Sequence, residues 1–197
     1  MVNTDLAPTL APPGAGLPAM ERFAGGVLFA LRRWTTTREA TNKRFQKERA
    51  AIHSLREGVA ESVWGTRVLI PRLPGLEDSS RSWSILMTLE HLRIVHGEMS
   101  RIIQSLGSGQ TPAGKASTAA VKPGADVTPA VVGAYERSCD DLLAAVAAVP
   151  ELKTCAHFPH PWFGPLDAAG WHTLAAGHMG IHRAQIRRIR EVLTAAR

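Results

Sequence analysis

Four long segments of this chain place apolar residues every three or four positions, and stretches rich in Pro, Gly, Ser and Thr separate them. That period is the α-helical one, and a helix with one apolar stripe must bury it against neighbours. The first segment carries Phe45, Ile52, Leu55, Val59 and Val63, and the second Ile85, Leu89, Leu92, Val95, Met99 and Ile103. The third carries Val131, Tyr135, Cys139, Leu142, Val146 and Val149. The fourth runs Trp171, Leu174, His178, His182, Gln185, Ile189 and then Val192 or Leu193. Alternating β-branched runs are scarce, so the chain reads as all-α. Four such helices with two long connections predict a four-helix bundle, and 197 residues suffice to bury one core.

Stop and start signals set the expected limits at about 37–64, 79–106, 128–149 and 167–195. Thr36-Thr-Arg-Glu39 has the form of a capping box, and Gly65 is the expected stop. Ser79 or Ser80 is expected to open the second helix and Gly107 to end it. Thr128-Pro129 reads as an N-cap and first position, Pro150 lies past the third helix, and Asp167 caps the fourth. Val68-Leu-Ile70 is expected to fold over the bundle end. Residues 107–127 read as a mobile crossover loop, long enough at roughly 3.3 Å per extended residue to traverse the bundle.

Residues 1–19 hold four prolines and lack a cationic start before an apolar core, which predicts a disordered leader and no secretory signal. Residues 20–197 then form one domain. It opens with a short extra helix from Met20 to Trp34, interrupted at Gly25-Gly26. No apolar run approaches a membrane span. Two cysteines are too few for a disulfide framework and suit a cytoplasmic protein. The net charge of +6 is spread over several segments without an interleaved basic and aromatic run, so nucleic acid is not an expected partner. Arg183, Arg187 and Arg190 make a basic stripe on the last helix, read as a solvated face or the rim of a homodimer.

His178 and His182 stand one helical turn apart in the middle of an otherwise apolar stripe. Two readings compete. The rings are neutral core histidines hydrogen-bonded across the bundle, or they share a metal ion. A third ligand has to come from the second helix, which offers His91 and His96. Periodicity prefers His96, nearer the centre of its stripe, and does not decide between them.

The segment Trp83-Ser-Ile-Leu-Met-Thr-Leu-Glu-His91-Leu resembles the second-helix signature of the DinB/YfiT-like superfamily of bacterial four-helix-bundle metalloproteins. His160-Pro-Trp-Phe-Gly164-Pro-Leu166, Trp171 and His178-x-x-x-His182-x-x-Gln185-Ile186 are similar to that family's last loop and helix. The resemblance spans about residues 36–195 and implies a metal triad of His91, His178 and His182. It departs at Asp167-Ala-Ala-Gly170, where relatives often carry acidic residues before the Trp. It further implies a divalent ion (zinc, nickel, iron or copper), a small-molecule substrate, and transfer chemistry with a low-molecular-weight thiol. The alternatives are a metal-dependent hydrolase, or a non-enzymatic helical interaction or stress protein. Around the triad, Gln185 is a candidate to orient a ligand, as are Glu90 and Glu98. Trp162, Phe163 and His160 are candidates for the pocket wall, with His160, His157 or Cys155 as a fourth ligand. His53 and His172 read as surface or boundary residues.

Overall fold

The computed structural model describes residues 9–195. It contains five helices: α1 (Ala19–Thr35), α2 (Arg38–Glu57), α3 (Ile85–Gly107), α4 (Val131–Ala148) and α5 (Ala168–Ala195). A small antiparallel hairpin, β1 (Phe158–His160) and β2 (Gly164–Leu166), precedes α5. That hairpin was read from sequence only as a loop. Gly164 closes its turn at φ +68°, a left-handed conformation that glycine adopts without strain.

Helices α2 to α5 form the bundle, and their side-chain register gives its topology. His96 lies beside Ser138, and Gly107 abuts Val149 at the same sequence offset, so α3 and α4 run parallel. Gln185 reaches the carbonyl of Ser80 just before α3, while His178 meets His91 further along, so α5 runs antiparallel to α3. Arg49 of α2 binds Glu136 and Asp140, and Arg38 reaches the carbonyls of Val146 and Val149, which makes α2 antiparallel to α4. The order is therefore up-down-down-up. Only the parallel α3–α4 pair requires its connection to travel the bundle's length, which accounts for the long segment after Gly107. Phe45, Ile52, Leu89, Leu92, Ile103, Tyr135, Leu142 and Ile186 are among the fully buried side chains between the helices.

The helix ends differ from the expected ones for local reasons. Thr37, not Thr36, caps α2 by accepting the Ala40 amide at 3.2 Å, while the Thr36 hydroxyl pairs with Thr41. α2 stops at Glu57 before Gly58, and residues 61–63 form a separate tight turn. α3 starts at Ile85, capped by Ser84, because the carbonyls of Arg81 and Trp83 accept the amides of Ile70 and Val68. Those bonds hold Val68–Ile70 over the bundle end and deny residues 79–83 to the helix. Thr128-Pro129 makes a turn ahead of α4, with the Thr128 carbonyl accepting the Val131 amide. Asp167 caps α5, accepting the Gly170 amide at 2.8 Å.

The crossover segment lies along the α3–α5 face and is tied at both ends. Thr111 donates to the His157 carbonyl, Thr118 to Glu77, and Lys122 bonds Ser80 and pairs with Glu77 at 2.6 Å. Helix α1 closes over the same face and runs unbroken through Gly25-Gly26. Its inner side stacks Phe29 on Phe163 at 4.5 Å and joins Arg33 to Asp167 at 2.9 Å. Its outer side leaves Met20, Phe23, Val27, Leu28, Leu31 and Trp34 exposed. Of the expected leader, residues 1–8 lie outside the described residues. Residues 9–18 run onto the domain, where the Ala11 amide donates to Asp78 at 2.8 Å.

Asp167 thus serves both the α5 cap and the α1 ion pair. Asp167→Ala is expected to lower the unfolding free energy by about 1–2 kcal/mol, the upper range for a helix cap. Urea unfolding measures it, and loss of less than about 0.5 kcal/mol would contradict the assignment.

Candidate metal centre

Three imidazoles converge where α3 and α5 cross. The Nε2 atom of His178 stands 3.1 Å from Nε2 of His91 and 3.1 Å from Nε2 of His182. One ligand atom from each ring lies within 4.8 Å of the others, a grouping that could hold a metal ion. The one-turn spacing on α5 supplies two rings from one face, and the antiparallel α3 brings His91 to the same height.

The proton positions follow from the partners. Gln185 donates through Nε2 to the Ser80 carbonyl at 2.8 Å, which turns its Oε1 toward His182. His182 must therefore donate from Nδ1, at 2.7 Å, and its neutral ring keeps the lone pair on Nε2. His91 likewise donates from Nδ1 to the Val121 carbonyl at 2.8 Å. Two lone pairs then face His178, whose own Nδ1 is buried without a partner. A proton on His178 Nε2 can serve one of them at a time and leaves the other orphaned. A cation among the three nitrogens would satisfy all three, and their spacing is compatible with metal–nitrogen bonds of about 2.0–2.1 Å. The donor set thus fits a divalent ion.

Burial keeps the rings neutral, as ligation requires. It pushes His91 down to about 4, against the hydrogen bond to Val121, and drives His178 and His182 well below the usual histidine value. Trp83 packs behind the cluster, 5.1 Å from His91 and stacked at 10° on His182.

His96 does not join them. It is 1 % exposed among α3, α4 and α2, with Nδ1 3.1 Å from the Ser138 hydroxyl and its ring 5.3 Å from Phe45. Position on the apolar stripe thus marks the helix–helix core, whereas His91 on the flank reaches the open side. Glu90 and Glu98 pair with Arg93 and Arg101 and orient no ring. His172, expected near the surface, is 2 % exposed, because α5 buries its first two turns beneath the hairpin and α2. His53 is exposed and pairs with Glu57. Cys155 and His157 are exposed and lie outside the cluster, and His160 is not a fourth member of it.

The open side is a cavity of about 740 Å³ beneath α1, the crossover segment and the hairpin turn. His91, His178 and His182 stand on its wall together with His160, Trp162 and Phe163. His160 stacks on Phe163 at 4.9 Å and accepts the Trp162 amide on Nδ1, so its neutral ring carries the proton on Nε2. The Val121 carbonyl and Lys122, which bridges Glu77 and the Trp83 face, went unread in the sequence. A backbone acceptor carries no residue-type signal, and a Gly- and Ala-rich segment offers no periodicity to place it.

Burial also lowers His96 to about 3 and His160 and His172 to about 4. In the unfolded chain these rings titrate near about 6.5. Between those limits the unfolded state binds more protons, so stability falls as pH falls. The metal-free protein is expected to hold its melting temperature near neutrality and lose it progressively from about pH 6.5 toward pH 4. Thermal unfolding across that range tests this; a flat profile would contradict it.

A sequence profile of the DinB superfamily matches residues 44–186, most of the chain and all three histidines. No curated protein matches. Among solved structures the chain is similar to TT2238, described as a four-helix bundle protein. The TM-score is 0.54 at 24% identity, over 81% of this chain and 99% of that one. That likeness speaks for the fold alone. By its profile match, its helical bundle and the His91–His178–His182 cluster, the chain belongs to the DinB superfamily.

Proposed function

We propose that this protein is a metal-dependent enzyme, a transferase that uses a low-molecular-weight thiol on a small electrophilic substrate. One observation carries the reading: the three converging histidines stand on the wall of a cavity sized for small molecules. A structural site would be closed by a fourth side chain, and among the described residues no fourth ligand joins the three histidines, which border the cavity. His91, His178 and His182 would hold the ion. Bound there, a divalent ion lowers the pKa of a thiol or water and stabilises developing negative charge.

The remaining work falls to the chain. Val121 and Gln185 hold two Nε2 lone pairs on the cavity side. Phe29 and Phe163, stacked on each other, give the cavity wall an apolar surface. His160 presents a ring bearing its proton on Nε2 at the same wall. Neither cysteine lines the cavity: Cys139 is buried in the core with its thiol pushed up to about 12, and Cys155 is exposed elsewhere. A sulfur nucleophile therefore has to arrive with a ligand, which favours the thiol cofactor over a protein thiol.

Metal content and thiol conjugation to 1-chloro-2,4-dinitrobenzene test this on untagged protein. Wild type is expected to carry one divalent ion per chain and to catalyse the reaction. His178→Ala is expected to lose both, because two imidazoles remain. Gln185→Leu removes the support of His182 and leaves the Ser80 carbonyl unpaired, with metal affinity down about 10–100-fold. Equal activity in metal-free protein would refute the mechanism, and ester hydrolysis without thiol transfer would favour a hydrolase.

A further inference from the structure

The charges lining the cavity do not cancel. Its three carboxylates are each engaged with a cation: Glu21 with Arg72, Glu77 with Lys122, and Glu98 with Arg101. Arg22, Arg32, Arg44 and Lys115 also line it, and among the described residues none has a carboxylate within ion-pair distance. The carboxylate nearest Arg44 in sequence on the same helix face, Glu48, pairs with Arg183 of α5. That ion pair also removes Arg183 from the basic stripe read in the sequence. Arg187 and Arg188 both lie against Glu191.

Arg32 and Arg44 come from different helices, α1 and α2, and both line the cavity. Arg44 is half-buried, and burial and the Arg32 charge lower its affinity for its proton against the opposing charge of Glu48, which Arg44 shares with Arg183. Two guanidiniums whose one neighbouring carboxylate, Glu48, is already bonded to Arg183 leave an excess of positive charge on this wall, since like charges repel and one is partly desolvated. Such an arrangement is offset when a ligand brings the opposite charge, and guanidinium groups match oxyanions by paired hydrogen bonds.

We infer that Arg32 and Arg44 form an anion subsite of the cavity, which takes an oxyanion carried by the thiol whose sulfur lies at the histidine cluster. The inference rests on the thiol reading for the identity of the ligand, not for the existence of the subsite. It assigns the substrate class: a small thiol bearing a carboxylate or phosphate, in preference to a neutral or cationic one. The subsite is assembled only with α1 in place, since Arg32 lies on that helix.

Two measurements test it. In the first, the cobalt(II)-loaded protein is titrated with 3-mercaptopropionate, 2-mercaptoethanol and cysteamine, following the thiolate-to-cobalt absorption band. Wild type is expected to bind the carboxylate thiol about tenfold tighter than the neutral one, and cysteamine weakest. Arg44→Gln is expected to bring the first two within about twofold of each other, and Arg32→Gln to do so in part. Arg32 is exposed on α1, so its variant keeps the test free of folding defects. In the second, inorganic phosphate is added to metal-free protein, and the shift in melting temperature is compared with Arg32→Gln and Arg44→Gln. Equal binding of charged and neutral thiols by wild type, or a preference that survives both variants, would overturn the subsite. Phosphate stabilisation that needs both arginines, with no thiol reaching cobalt, would uphold the subsite and overturn the thiol reading. No phosphate effect and no thiol binding would overturn both.

Discussion

Three imidazole Nε2 atoms that converge inside a bundle are the constraint on which the rest of this structure depends. Neutral imidazoles can be buried at modest cost only when each ring nitrogen has a partner. Here two rings are held by a backbone carbonyl and a glutamine whose own orientation is dictated by Ser80. Those supports come from three different parts of the chain. The crossover segment supplies Val121, the stretch before α3 supplies Ser80, and α5 supplies Gln185. The arrangement is polar and demanding, and it accounts for features that packing alone does not. The crossover segment must lie on the α3–α5 face, and α3 must begin late enough to leave the Ser80 carbonyl free.

The same geometry separates two kinds of buried histidine. His96 sits in the core between helices and shares a hydrogen bond with Ser138, away from any cavity. His91 sits five residues earlier on the helix flank and turns toward open space. Both are nearly fully buried and both are held neutral by that burial. Burial and an altered proton affinity therefore do not single out a candidate ligand, whereas convergence of ring nitrogens beside a cavity does.

Helix α1 stands apart from the superfamily match, which begins at residue 44. It has no buried residue, yet it roofs the cavity and brings Arg22 and Arg32 to its wall. It is held by a stacked Phe29–Phe163 pair and by ion pairs at either end, contacts that are individually weak. A helix outside the matched residues thus stands over the cavity.

The four bundle helices were legible in the sequence because helical periodicity is local, and most of the inner-face residues named from it are buried, with Leu55, Val63 and His178 half-buried and Val192 exposed. The one-turn His178–His182 pair was legible for the same reason. The choice of His91 over His96 was not, since periodicity ranks residues by distance from the centre of a stripe. The open side depends on which helices are neighbours, and the family resemblance, not the spacing, pointed to His91. Helix starts differ from the expected ones by a few residues where backbone groups are claimed by another segment, as the Arg81 and Trp83 carbonyls are by the Ile70 and Val68 amides. The sequence by itself determined the helices, their apolar faces and the paired histidines, because those follow from interactions within a few turns. Only the tertiary structure decided the tautomers, the Val121 contact, the hairpin and the arginine pair. Each of these joins segments far apart in the chain, through backbone groups or charges whose partners no local pattern records.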